Sequence, residues 1–167
     1  ESIPLISASI MGKKLAEGID GMVLDVKTGN GAFTKNIEDA VKLAKLIISI
    51  GSKMGKKVTA LITDMNQPLG YAIGNALEVK ESIDVLQGRG PKDVREISLA
   101  LAEYMLKLAG KKNPRQIAQK LLDTGTAYRK FIQIVKAQGG DISRLPEAKL
   151  KAPVLAPRSG YITGIDT

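Results

Sequence analysis

The chain has 167 residues, 44% of them hydrophobic, which is enough for one ordinary domain with a sizeable core and too apolar for a disordered tract. Cysteine and histidine are both absent, so disulfides, thiolate or imidazole metal sites and the commonest general base are excluded; any chemistry must use Lys, Asp, Glu, Ser, Thr or the backbone. The formal net charge is +8, but the lysines are scattered and only 2 Phe and 4 Tyr could stack on bases, so we expect an anionic small substrate and no nucleic-acid partner.

Residues 3–17 read as a helix entered through Pro4, where a missing amide proton costs nothing, and left at Gly18. Residues 21–27, with Met22, Val23, Leu24 and Val26, read as a buried strand that ends in a Gly29-Asn30-Gly31 turn. Asn36 is a fitting N-cap for a helix over residues 37–54, whose Ile37, Val41, Leu43, Ala44, Ile47, Ile48 and Ile50 make a broad apolar face. Its apolar stretch, residues 41–50, is too short to span a bilayer and is broken by Lys42 and Lys45, so no membrane partner is expected. Residues 58–63 form a second short β-branched run. Strand, helix and strand make a βαβ unit of a parallel sheet, and ligands collect beyond the carboxyl ends of such strands. The loops at that edge are residues 28–33 and 63–70. From residue 75 to 137 the pattern is helical, with breaks at Gly88 to Pro91, Gly110 to Pro114 and Gly125, and these helices are expected to cover the sheet. A Pro- and Gly-rich connector from about residue 139 to 158 leads to residues 154–167, which alternate like the first strand of a further β unit. The chain opens on Glu1 without a signal-peptide pattern and stops abruptly, so it reads as a fragment.

Several positions carry chemistry and admit two readings. Ser9 and Lys13 stand one helical turn apart and share a face; they either read a polar edge together or are simply solvated. Gly29-Asn30-Gly31 either cradles an anion through its amides or is a tight turn needing positive φ. Asp25, inside an apolar strand, requires a partner: it is either in a buried ion pair, with Lys27 or another lysine, or a helix-cap acceptor, or else it serves in catalysis. Asp64 either meets a ligand or caps the following turn. Glu78 and Glu81, by spacing alone, are a solvated helix face.

Three blocks, S-A-S-I-M-G-K-K at residues 7–14, L-D-V-K-T-G-N-G-A-F at 24–33 and L-I-T-D-M-N-Q-P-L-G-Y-A-I-G-N-A-L-E-V-K-E at 61–81, resemble the pyrimidine-nucleoside phosphorylase and thymidine phosphorylase family in order and spacing. The resemblance implies an α/β fold with a central, mostly parallel sheet covered by helices. Residues 1–17 would belong to a separate helical domain, 18–145 to the α/β domain, and 146–167 to a connector and the start of a C-terminal β-rich domain. It implies reversible phosphorolysis of uridine or thymidine by phosphate, giving free base and sugar 1-phosphate. Lys13 would supply charge to a base carbonyl, Ser9 would bond the edge with the ring N–H, and Ile6 and Phe33 would wall the base. A structural potassium ion would take the carbonyls of Leu69 and Ala72 and the carboxylate of Glu81, and hard oxygens suit such a cation. The family's phosphate-binding loop and the rest of its cation site lie upstream of Glu1, so the missing N-terminal segment is itself an expected partner. A cytoplasmic homodimer is the implied state. A nucleoside-monophosphate phosphorylase, a phosphoribosyltransferase of similar fold, or a non-catalytic binding domain are the alternatives.

Overall fold

The computed structural model describes residues 2–167. Helix α1 (Ile3–Ala16) has proline in its first turn and stops before Gly18, whose φ of 74° ends the helix. Strand β1 (Gly21–Thr28), helix α2 (Ile37–Lys53) and strand β2 (Lys57–Asp64) follow. Asn36 caps α2 by accepting the Asp39 N–H at 2.9 Å. The strands pair in parallel over their full length, from Gly21 opposite Lys57 to Thr28 opposite Asp64. The expected βαβ unit is therefore present.

One core sits between this sheet and α2, where Ala40, Leu43, Ala44 and Ile47 meet Val26 of β1 and Met11 of α1. Close approach is built in. A Cβ at Gly51 would fall 2.3 Å from Val58 Cγ2, so the last turn of α2 presses directly on β2. Met11 is 1% exposed, and α1 lies on α2.

The second half contains α3 (Asn75–Leu86), α4 (Lys92–Leu108), α5 (Pro114–Asp123) and α6 (Thr126–Ala137), separated at the glycine and proline breaks read from the sequence. Covering of the sheet is narrower than expected. Among these four helices α4 packs on both strands, while α5 packs on α4, and α6 on α5 and α3. The reason is width: two strands spaced about 4.8 Å apart offer one face for a single helix about 10 Å across. With α2 on one face and α4 on the other, the remaining helices build a second core around Leu99, Ala118 and Leu122.

The strand expected over residues 154–167 does not form in this chain; after a short 3-10 turn at Ile142–Arg144 the backbone runs on without a ladder. Alternating side chains cannot make a strand alone. An extended segment needs a neighbour's N–H and C=O groups, and the sheet consists of β1 and β2 alone, with no ladder to residues 154–167. No helix among the described residues is long and apolar enough to cross a membrane.

Candidate functional site

The orientation of α1 decides what Ser9 and Lys13 can meet. Ser7 is fully buried and its hydroxyl donates to the Ile3 carbonyl at 2.9 Å, and Met11 enters the core beside it. That face points inward, which leaves Ser9 and Lys13 exposed on another side of the helix. Half-buried Ile6 joins Ser9, Leu5 and Ile10 around a shallow hollow of about 350 Å³. Lys14 is engaged elsewhere, its ammonium 2.9 Å from Glu17. Phe33 is not part of this hollow.

At the carboxyl edge of the sheet the two loops are stitched together. Gly31 N–H donates to the Met65 carbonyl at 2.8 Å and Met65 N–H to the Thr28 carbonyl at 2.7 Å. The Asn30 N–H donates to Asn66 Oδ1 at 3.1 Å, and Asn66 is held in turn by Asp64, whose Oδ1 accepts its backbone N–H at 3.0 Å. Asp64 is thus the cap of its own turn, one of the two roles read from the sequence. With Gly29 N–H donating to the Thr34 carbonyl and Ala32 N–H to the Gly29 carbonyl, every amide from residue 29 to 32 is already used. Nothing remains for an anion. The glycines serve a tight turn: Gly29 has φ 121°, and a Cβ there would stand 2.7 Å from Asn66 Oδ1.

The same stitching presents Phe33, which is 57% exposed between buried Ala32 and Thr34. Thr34, only 4% exposed, donates its hydroxyl to the Lys27 carbonyl at 2.5 Å and bridges Thr28. Neither Thr34 nor Asn66 stands out in sequence. The one available signal was the Asp-x-Asn spacing of Asp64 and Asn66, typical of a side chain folding back on its own turn.

Asp25 has found the partner its position demands. Its Oδ2 lies 2.5 Å from the Lys27 ammonium, its Oδ1 accepts the Thr63 hydroxyl at 2.5 Å, and Lys27 also reaches Thr63 at 3.0 Å. Lys27 and Thr63 are register partners, so the triangle ties β1 to β2 and the ion pair reading holds; Thr63 was not anticipated.

Between β2 and α3 the chain turns through Leu69, Gly70, Tyr71 and Ala72. Glu81 is no solvated residue: its Oε1 accepts Tyr71 N–H at 2.8 Å and Ala72 N–H at 3.0 Å. Glu78 accepts Gly74 N–H at 3.0 Å, and Asp93 of α4 accepts Gly70 N–H at 2.9 Å. That bond holds the Asp93 carboxyl below its ordinary range; burial opposes it, and the Val94 N–H adds to it. Gly70 has φ 73°, and a Cβ there would fall 2.1 Å from Glu81 Oε2, so only glycine lets the carboxylate close on the loop. Spacing could not reveal this, because the partners are loop amides.

Among the described residues no three acidic side chains converge as a metal-binding group. A cation at this loop would depend on backbone oxygens and one carboxylate. Glu81 keeps Oε2 beside Gly70 while its Oε1 steadies the loop.

A sequence profile described as the glycosyl transferase family, a/b domain, matches residues 1–128. The chain is 49% identical over 174 aligned positions to a pyrimidine-nucleoside phosphorylase of Geobacillus stearothermophilus, an alignment covering 98% of this chain and 40% of the relative. It is 50% identical over 172 positions to a pyrimidine-nucleoside phosphorylase of Staphylococcus aureus strain bovine RF122 / ET3-1, covering 97% of this chain and 40% of that protein. The chain spans about two fifths of the length of these curated relatives.

Proposed function

Because this chain belongs to the glycosyl transferase family with this a/b domain, we propose that it is the base-binding portion of a pyrimidine-nucleoside phosphorylase, a pentosyltransferase. The observation that carries the reading is the exposed Ser9 and Lys13 edge of α1, set beside half-buried Ile6, in a chain about half identical to phosphorylases of that name. Uridine or thymidine and phosphate are the substrates.

In the reaction a phosphate oxygen bonds to C1′ of the sugar as the C1′–N1 bond breaks, and the electron pair of that bond leaves with the base. Negative charge then spreads over N1 and the pyrimidine carbonyl oxygens. The Lys13 ammonium stabilises one of those oxygens, and the Ser9 hydroxyl bonds the edge carrying the ring N–H. Both interactions strengthen as charge develops, so they favour the transition state over the ground state. Ile6 and Phe33 wall the flat ring. The groups that bind phosphate belong to a segment outside residues 1–167, which makes that N-terminal segment the partner this chain needs.

Potassium, bound through Leu69 O, Ala72 O and the Glu81 carboxylate, would supply a fixed positive charge that locks the loop between β2 and α3. Residues 1–17 belong with a helical domain through which the enzyme forms a homodimer, residues 18–145 with the α/β domain, and residues 146–167 with the connector into a C-terminal β-rich domain. A cytoplasmic role in nucleoside salvage suits these substrates.

Steady-state phosphorolysis of uridine by the full-length enzyme tests the assignment. Lys13→Ala is expected to lower kcat/KM by about 100-fold, in the range of a lost charge-stabilising donor, and Lys14→Ala, whose ammonium pairs with Glu17, by less than about threefold, well under the roughly tenfold that 1.4 kcal/mol would bring. Equal losses would remove Lys13 from its role. The same assay run with nucleoside monophosphates distinguishes a phosphorylase of that class.

A further inference from the structure

The loop after β2 is held by carboxylates from two different helices, and Asp93 makes one bond, to Gly70, that neither its place in the first turn of α4 nor the cation reading explains. Its Oδ2 accepts the Gly70 N–H at 2.9 Å across 23 residues of sequence, while its Oδ1 takes the N–H of Val94. Gly70 N–H and Leu69 C=O belong to a single peptide unit, and the described residues contain no cis peptide bond. In a trans peptide these two groups point in opposite directions. By fixing the N–H, Asp93 therefore fixes the Leu69 carbonyl on the side away from itself and clear of the first turn of α4. Accepting that hydrogen also polarises the peptide, which makes the Leu69 oxygen a stronger donor to a cation.

We infer that Asp93 is a positioning residue for a monovalent cation: it aims and polarises the Leu69 carbonyl without touching the ion. The inference rests on the assignment of Leu69, Ala72 and Glu81 to a potassium site. It also gives that site a mechanical connection. Helix α4, which carries Asp93 in its first turn, packs on both β1 and β2, so the cation loop is referenced to the sheet whose carboxyl edge bears Phe33.

The experiment titrates the full-length enzyme with potassium chloride against choline chloride at constant ionic strength, reading the thermal unfolding midpoint and uridine phosphorolysis in parallel. Asp93→Ala is expected to raise the half-saturating potassium concentration by about 10- to 100-fold, the usual cost of losing a residue that orients a metal ligand. At saturating potassium its kcat should return to the parent value. Asp93→Asn, which keeps an acceptor oxygen in place, should stay within about threefold, well under that cost. If Asp93→Ala does not fold, Asp93→Glu, with its carboxylate displaced by one methylene, must show the weakened potassium response. A potassium response in Asp93→Ala or Asp93→Glu equal to the parent's, while Glu81→Gln loses its response, overturns the role of Asp93 and leaves the cation site standing. A parent enzyme indifferent to potassium in both readouts overturns the cation site, and this inference with it.

Discussion

The two irregular segments that follow β1 and β2 solve the same problem with different chemistry. Residues 28–34 are secured chiefly by neutral groups, namely peptide hydrogen bonds to Met65 and Thr34, the Asn66 amide and the Thr34 hydroxyl, with the Lys35 ammonium on the Asn30 carbonyl and the Asp64 carboxylate behind Asn66. Residues 69–74 are secured by the carboxylates of Glu78, Glu81 and Asp93. None of the direct bonds to this first loop is made by a carboxylate, and the loop leaves Phe33 exposed. An acidic clamp is stronger per bond and keeps negative charge at the loop, which is what a cation requires. The two loops are both closed by hydrogen bonds and differ in what holds them directly: no carboxylate at the first, three at the second.

The largest expected effects come from the glycines at the two loops, where the comparison predicts likeness. Gly29→Ala and Gly70→Ala each force an L side chain into positive φ, costing about 1–3 kcal/mol, and each drives a Cβ against the clamping residue, Asn66 at 2.7 Å or Glu81 at 2.1 Å. Denaturant unfolding should place both well below the parent. Their second-site responses should differ. Removing Glu81 in the Gly70→Ala background should recover the collision part of the loss, and a doubly mutated protein no more stable than Gly70→Ala would show that the collision is not what matters.

A middle-sized effect separates the neutral clamp from simple packing. Thr34→Val keeps the shape but leaves the Lys27 carbonyl without its buried donor, at a cost of about 1–2 kcal/mol. Thr34→Ser keeps the hydroxyl and should lose less. If valine proves as stable as threonine, the loop is held by its backbone bonds alone.

The smallest effect is the one that divides the loops by pH. Asp93 is held below its ordinary range chiefly by the Gly70 N–H, so its folded value lies under the unfolded one of about 3.9. Its contribution is complete above the unfolded value and disappears as pH falls through the folded value. Amide protection of Gly70, corrected for intrinsic exchange, should therefore decline on acidification while that of Gly29 and Gly31 persists. Asp39 at the start of α2, lowered first by its hydrogen bond to Lys42 and then by Asn36, follows the same sign. Parallel loss at both loops would mean that acid unfolds the domain as a whole and the clamps are not independent.

Much of the architecture was legible before any coordinates because its signals are local. The Asn36 cap, the glycine stops at Gly18 and Gly125, and the proline openings at Pro4 and Pro114 depend on neighbours within a turn of helix, so the elements fall within a residue or two of their expected bounds. The partner of Asp25 was equally close, two residues away on the same face of a strand. Residues 154–167 show the limit of that reasoning, since alternation describes a strand's faces but cannot supply the strand beside it.

By itself, then, the sequence determined where the helices and the two strands of the sheet lie, the parallel βαβ unit, the family resemblance and the shared face of Ser9 and Lys13, each set by spacing along a short stretch. Only the tertiary structure decided that the amides of Gly29 to Ala32 are already consumed, that Thr34 and Asn66 hold the Phe33 loop, and that Glu81 and Asp93 grip backbone instead of facing water. Those bonds join residues up to 36 positions apart. A hydrogen bond between a side chain and a distant peptide leaves no periodic trace in composition or spacing, because any residue can donate its N–H and the chain must fold before donor and acceptor meet.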